Sequence, residues 1–139
     1  MLTKQRQGDL GEASALEWLA SKGAGLFVPF GRSPDYDLIA ELDGRLRRVQ
    51  VKTSRRRTAN GTSSYAVQLE TRGGNQSWSG TAKRFDPSRC DFVFILIADG
   101  RRWFIPSSAI CAYTTITVGG VAYGDYEVEP GRPFAEEAT

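Results

Sequence analysis

The stretch that most restricts how this chain can fold runs over residues 33–54, SPDYDLIAELDGRLRRVQVKTS. Tyr36 to Leu42 and Arg45 to Thr53 read as strands, and Asp43-Gly44 between them tolerates the positive φ angles of a two-residue type I′ turn. Such a turn pairs Leu42 with Arg45, and counting back along both strands places Asp37 across from Gln50. Side chains alternate between the faces of a strand. Gln50 and Lys52 are therefore expected on one face beside Asp37, with Leu38, Val49 and Val51 turned to the other face for burial. The hairpin would gather a carboxylate, an amide oxygen and an ammonium on one patch.

The flanking sequence supplies the layers that such a hairpin needs. Leu2 to Lys22 has the pattern of an amphipathic helix, closed by Gly23 as a left-handed cap. At 100° per residue, Gly8, Glu12, Ala15, Leu16 and Leu19 share a face, with Ser14, Glu17 and Ser21 opposite. Glu12 is thus an acid on the apolar side, and Gly8 and Gly11 would let the helix approach the sheet closely enough to aim it at the hairpin cluster. Leu26 to Phe30 reads as a short strand, and Arg55 to Ser63 as a flexible basic loop. Ser64 to Glu70 reads as a third strand beside the hairpin, and Thr71 to Pro87 as a Gly-rich polar segment. Cys90 to Ala98, CDFVFILIA, is apolar enough for a strand buried on both faces. Asp99-Gly100 turns the chain into Arg101 to Ile105, and a short helical segment follows from Pro106 to Ala112. Tyr113 to Val118 and Val121 to Val128 suggest a terminal hairpin around Gly119-Gly120, and the remainder, EPGRPFAEEAT, a frayed tail.

The 139 residues suit a single domain over 1–139, with a core over about 3–112 and the hairpin and tail at 113–139. No apolar run is long enough to span a membrane, and MLTKQRQGDLGE lacks the apolar core of a secretory signal. A cytoplasmic location is expected, with Cys90 and Cys111, which lack metal-site spacing, as reduced thiols, a disulfide between them being the alternative. The chain has no histidine, which removes Ser-His-Asp and Cys-His hydrolases, His-ligated zinc enzymes and nucleases with a histidine base. The net charge of +2 conceals a division: residues 1–90 hold 15 Lys and Arg against 9 Asp and Glu, and residues 91–139 hold 3 against 7. Arg45, Arg47, Arg48, Lys52, Arg55, Arg56 and Arg57 cluster on and just after the hairpin. Such a run is often only a solvated face. Beside a candidate metal site it points to phosphate, which the guanidinium fork contacts in pairs of hydrogen bonds. Lys83, Arg84 and Trp78 extend that expected DNA surface, with Trp78 as either a stacking platform or a packed loop anchor.

Gly8-Asp9-Leu10-Gly11-Glu12 on a first helix, Tyr36-Asp37-Leu38-Ile39 on one strand and Val49-Gln50-Val51-Lys52 on the next resemble the PD-(D/E)xK nuclease superfamily. The Gln-x-Lys form, with the downstream Cys90 to Ile105 hairpin and PSSAI, is similar to group I intron homing endonucleases and, more distantly, to archaeal Holliday-junction resolvases. The resemblance implies an α/β (α+β) restriction-endonuclease-like core, a central mixed β-sheet flanked by helices. It also implies a metal-dependent endonuclease acting on double-stranded or branched DNA, and a homodimer or homotetramer. Carried over residue by residue, Asp37 matches the metal-binding aspartate, Lys52 the lysine that orients or activates water, and Glu12 the helix glutamate. Gln50 stands where most members have a second acid, and Glu12 would restore the missing charge. The literal "PD" is Pro34-Asp35, yet only Asp37 falls opposite Gln50 in the turn-set register. The expected metal ligands are Asp37, Gln50 and Glu12, whose oxygen donors suit Mg²⁺ or Mn²⁺.

Overall fold

The computed structural model describes residues 2–31, 33, 35–58, 63–70 and 83–134. Trp78 lies outside them. Helix α1 spans Lys4–Ser21. Thr3 caps its start, Oγ1 accepting from the Arg6 amide at 3.1 Å. Its end is a Schellman motif: Gly23, at φ 83°, donates to Ala20 O and Ala24 donates to Leu19 O. Its buried stripe is Gly11, Ala15, Trp18 and Leu19, so Glu12 stands exposed beside that stripe rather than within it.

Six strands form the central mixed sheet in the order β1 (Gly25–Phe27), β2 (Leu38–Leu42), β3 (Arg45–Ser54), β5 (Phe92–Ile97), β6 (Arg102–Pro106) and β8 (Glu127–Val128). The hairpin register is the expected one, with Leu42 opposite Arg45 and Leu38 opposite Val49. Asp43 and Gly44 sit at φ 51° and 76°, both positive as a type I′ turn demands. β3 runs parallel to β5, which is antiparallel to β6. β5 is therefore central, and Val93 to Ile97 are all buried.

The two faces of the sheet are covered differently. On one, Ala15, Trp18 and Leu19 of α1 pack on Leu38, Ala40, Val49, Phe94 and Leu96. On the other, a two-stranded ribbon of β4 (Tyr65–Gln68) and β7 (Thr115–Val118) covers Val93, Ile95 and Ile97. Here three expectations are corrected. Residues 64–70 join β7 instead of the hairpin, because β5 already occupies the open edge of β3. Residues 113–128 form no terminal hairpin: Gly119, at φ 95° against the Ser63 carbonyl, turns the chain away, and β8 adds to β6. The tail is not frayed over 129–134. The Trp18 indole donates to Glu129 Oε1 at 2.8 Å, Gly131 donates to Gly100 O at 2.8 Å, and Phe134 is buried beside α1. The Leu26 strand is also shorter than expected, since β1 stops at Phe27, two residues before Pro29.

A buried guanidinium fastens these layers. Arg102 donates through Nε to Glu129 O (2.7 Å), through Nη1 to Glu17 Oε1 (2.6 Å) and Ser14 Oγ (3.2 Å), and through Nη2 to Pro130 O (3.3 Å). Ser14 and Glu17, expected on the solvent face of the helix, thus have a structural task. Both cysteines are free, Cys90 buried and Cys111 exposed. No helix among the described residues is long and apolar enough to cross a membrane.

Candidate active site

Asp37 lies one residue before β2, where the hairpin ladder breaks off. A regular continuation would pair Val51 N–H with the Tyr36 carbonyl. Instead the Asp37 carboxylate takes that place, Oδ2 accepting from Val51 N at 2.7 Å, while the Asp37 amide donates to Val49 O at 2.8 Å. Its side chain therefore lies along the sheet edge rather than standing on one face, which corrects the single-face patch expected from alternation. Gln50 Nε2 reaches the same Oδ2 at 3.4 Å.

The remaining groups approach from opposite faces. Gln50 and Lys52 project toward the ribbon, where Lys52 Nζ donates to Glu70 O at 3.4 Å. Glu12 comes from the α1 face, near enough for Asp37 to act on its ionisation. Partial burial raises the Glu12 carboxyl above the ordinary range, and the negative charges of Asp37 and Asp9 raise it further. Burial likewise raises Asp37, against the opposing pull of the Val51 amide, Lys52 and Gln50. The Lys52 ammonium is pushed down by burial and partly restored by Asp37. Neither Asp37 nor Glu12 has an ion pair among the described residues, nor do these residues contain a set of three His, Cys, Asp or Glu around one point.

Glycine makes the approach of Glu12 possible. A Cβ at Gly11 would run into Thr53 Cγ2 and lie 3.1 Å from Val51 Cγ1. Thr53 cannot swing aside freely, because its Oγ1 accepts from Gln7 Nε2 at 2.8 Å. Gly11→Ala is expected to lift this end of α1 off β3, costing about 1–2 kcal/mol after the helix-propensity gain of alanine. Removing the clashing methyl in Gly11→Ala/Thr53→Ser should recover most of the loss. Thermal denaturation of the single and double variants checks this, and a double variant no better than the single would refute the steric account.

The expected DNA-facing residues divide by what holds them. Arg48 is engaged structurally: Nε and Nη2 each lie 3.3 Å from an Asp91 carboxylate oxygen, and Nη2 donates to Ser88 O. Arg57 Nε donates to the Tyr65 hydroxyl and Arg55 Nη1 to Leu2 O, with both side chains at the surface. The Arg47, Arg56 and Arg84 side chains have no hydrogen-bonded partner among the described residues. Lys83 pairs with Asp35 at 3.4 Å. The sequence reading missed Arg89, whose Nη1 also meets Asp35 at 3.4 Å. Its only sequence signal was basicity near Lys83-Arg84.

A family model described as PD-(D/E)XK endonuclease matches residues 1–119. The chain belongs to the PD-(D/E)XK endonuclease family. Among solved structures, this PD-(D/E)XK chain is similar to the bacterial homing endonuclease I-Ssp6803I, at TM-score 0.73 and 20% identity, covering 90% of this chain and 88% of that one. No curated protein matches it. Family and fold together mark a nuclease with a mixed α/β architecture, and the family's members typically employ divalent metals and act on DNA.

Proposed function

We propose that this chain is a divalent-metal-dependent endonuclease that hydrolyses phosphodiester bonds of double-stranded or branched DNA, at a target chosen by sequence or by structure. The observation that carries the reading is Asp37, fixed by the Val51 amide at the sheet edge, with Glu12 on one side and Gln50 and Lys52 on the other. The donor set fits Mg²⁺ or Mn²⁺: two carboxylates and an amide, all hard oxygen ligands. Two raised carboxyls without an ion pair are an electrostatic cost that a divalent cation would relieve.

Asp37 and Gln50 would hold the ion from the sheet and Glu12 from the helix. Bound there, it would supply an acidified water and neutralise charge on the phosphoryl group. Gln50 must first turn its amide, since here Nε2 rather than Oε1 faces Asp37. Lys52, partly stripped of water, donates to the attacking water or to the developing oxyanion. Arg47, Arg55, Arg56, Arg57, Lys83 and Arg84 would carry the DNA backbone, and Trp78 could offer a base its face. One such centre cuts one strand at a time, so a homodimer or homotetramer accompanies the proposal, to be measured by light scattering. A cytoplasmic setting suits the two free thiols.

A second reading has its own observation. The neutral Gln50 amide already donates to Asp37, and a nuclease fold so arranged could bind DNA without turnover. Incubating supercoiled plasmid and a synthetic four-way junction with Mg²⁺, Mn²⁺ or EDTA separates the two. Metal-dependent nicking supports the enzyme; salt-sensitive binding without cleavage supports the binder.

Protons compete with the ion for Glu12 and Asp37. Because both are raised, metal affinity should begin to fall at a pH above the roughly 4 of an exposed carboxylate. In the metal-free fold the sign is opposite: a raised pKa contributes stability below the unfolded value and loses it as pH climbs through the folded one. The increase in Tm produced by Mn²⁺ should therefore shrink as pH falls from about 8 to about 5. A pH-independent increase would remove these two carboxylates from the ion.

A further inference from the structure

Beside Gln50 the ribbon face opens into a small, shallow recess, floored by Phe85 and Cys90 and rimmed by Lys83, Arg84 and Arg89. Asp35 lies across it. Lys83 Nζ is 3.4 Å from Asp35 Oδ1, and Arg89 Nη1 is 3.4 Å from both Asp35 oxygens. Arg89 has a second holder. Asp86 Oδ2 accepts from its Nε at 3.3 Å, and Asp86 is itself fixed by accepting from the Ser88 amide (2.9 Å) and hydroxyl (2.7 Å). Asp86 thus offers the guanidinium a second, solvent-exposed contact besides Asp35. The contacts to Asp35 are long and solvent-exposed, the kind of ion pair that contributes little and breaks easily.

We infer that this recess is a subsite for the phosphodiester next to the one being cut, and that the Asp35 carboxylate occupies it as an anionic stand-in until DNA displaces it. The inference rests on the nuclease reading above. Gln50, on the recess wall, and Lys52, in the candidate centre, are two residues apart on β3, which is about 7 Å along a strand. A backbone phosphate in the recess would therefore be followed closely by one at Asp37 and Lys52. A tetrahedral phosphodiester offers Lys83 and Arg89 the same paired anionic oxygens that Asp35 now does. Asp35 also has a second consequence: unless a stronger anion replaces it, the charge of the two cations stays partly offset, so non-specific polyanions are held more weakly.

The test is fluorescence anisotropy of a labelled duplex and a labelled four-way junction in EDTA, across KCl concentrations. Asp35→Asn should tighten binding about 3- to 10-fold at low salt, whereas Arg89→Ala should weaken it similarly and lower the salt slope by about 1. Asp35→Asn/Arg89→Ala should lose most of the gain. Asp43→Asn, the same charge change placed in the hairpin turn, should alter affinity less than about twofold. With Mn²⁺ present, Asp35→Asn should still nick plasmid. The inference is overturned if Asp35→Asn brings no gain, if its gain survives Arg89→Ala, or if it abolishes nicking, which would make Asp35 a metal ligand. Any of these leaves the nuclease reading standing. If the native chain binds no DNA at low salt, both fall together.

Discussion

Alanine at Lys52 is expected to lower the proposed metal-dependent nicking of supercoiled plasmid about 10²- to 10⁴-fold while leaving DNA affinity within about threefold. The asymmetry follows from where the ammonium sits. Lys52 is withdrawn between β3 and the ribbon, one hydrogen bond from Glu70 O, so it adds little to the outer field that draws DNA in. It stands beside Asp37, where charge would accumulate during hydrolysis, and a donor already stripped of water acts strongly there. Asp37→Asn should remove cleavage as completely and abolish the Mn²⁺-induced rise in Tm. Asparagine is preferred to alanine because it can still accept from the Val51 amide; an orphaned buried amide would cost about 1–3 kcal/mol and confuse the reading. Single-turnover cleavage alongside anisotropy provides both numbers. A Lys52→Ala chain that nicks at the native rate would sink the assignment, and one that loses binding and cleavage in parallel would make Lys52 a DNA contact only.

The second large effect is on stability. Arg102 is 3% exposed, and all three of its guanidinium nitrogens meet acceptors on α1 or on the segment after β8. Arg102→Leu leaves those carbonyls and the Ser14 hydroxyl facing an apolar side chain. Removing one member of a buried ion pair costs about 3–5 kcal/mol. Glu17 is largely solvated and is not stranded by the loss, so the lower end, about 3 kcal/mol, is expected. That is a large share of the roughly 5–15 kcal/mol that holds such a domain together. Arg102→Lys should recover less than half, because an ammonium cannot reproduce the planar fork. Urea denaturation checks this through a fall in midpoint at unchanged m-value. A loss below about 1 kcal/mol would mean that solvent replaces the guanidinium's bonds at little cost.

How far the chain could be read from its sequence depended on the reach of each interaction. The hairpin was legible because Asp43-Gly44 fixes its register within two residues, and the register carried Gln50 and Lys52 with it. Glu12 was legible as an acid on the hairpin side of the helix, near enough for Asp37 to act on it, but its exposed place beside the buried stripe was not. The in-plane turn of Asp37 was not, since a ladder break leaves no mark in an alternation pattern. Nor was the partner of residues 115–118: their alternation announces a strand, but Tyr65 to Gln68, nearly fifty residues away, look equally suited to the hairpin. The task of Arg102 was hidden for a related reason. An arginine opening a strand reads as surface, and its acceptors, Ser14, Glu17 and Glu129, lie far off in sequence. Asp35, Lys83 and Arg89 form a cluster only once the ribbon is in place.

The segment from Glu129 to Phe134 also bears on the order in which the molecule can assemble. Trp18 of α1 is bonded to Glu129, 111 residues away, and the same helix face is sealed by Phe134. Contacts of such separation close only after the intervening loops have lost their entropy, and they slow folding accordingly. During synthesis the sheet covers most of the helix stripe first, and the Trp18 indole waits for Glu129 and Phe134 to complete its surroundings. Interruption between the central strands and residue 129 would leave the Trp18 flank without its last cover, although Leu38, Ala40, Val49, Phe94 and Leu96 already pack on the stripe. Amide exchange should register the same hierarchy, with β5 opening only globally and α1 releasing together with the 129–134 strap as one cooperative unit.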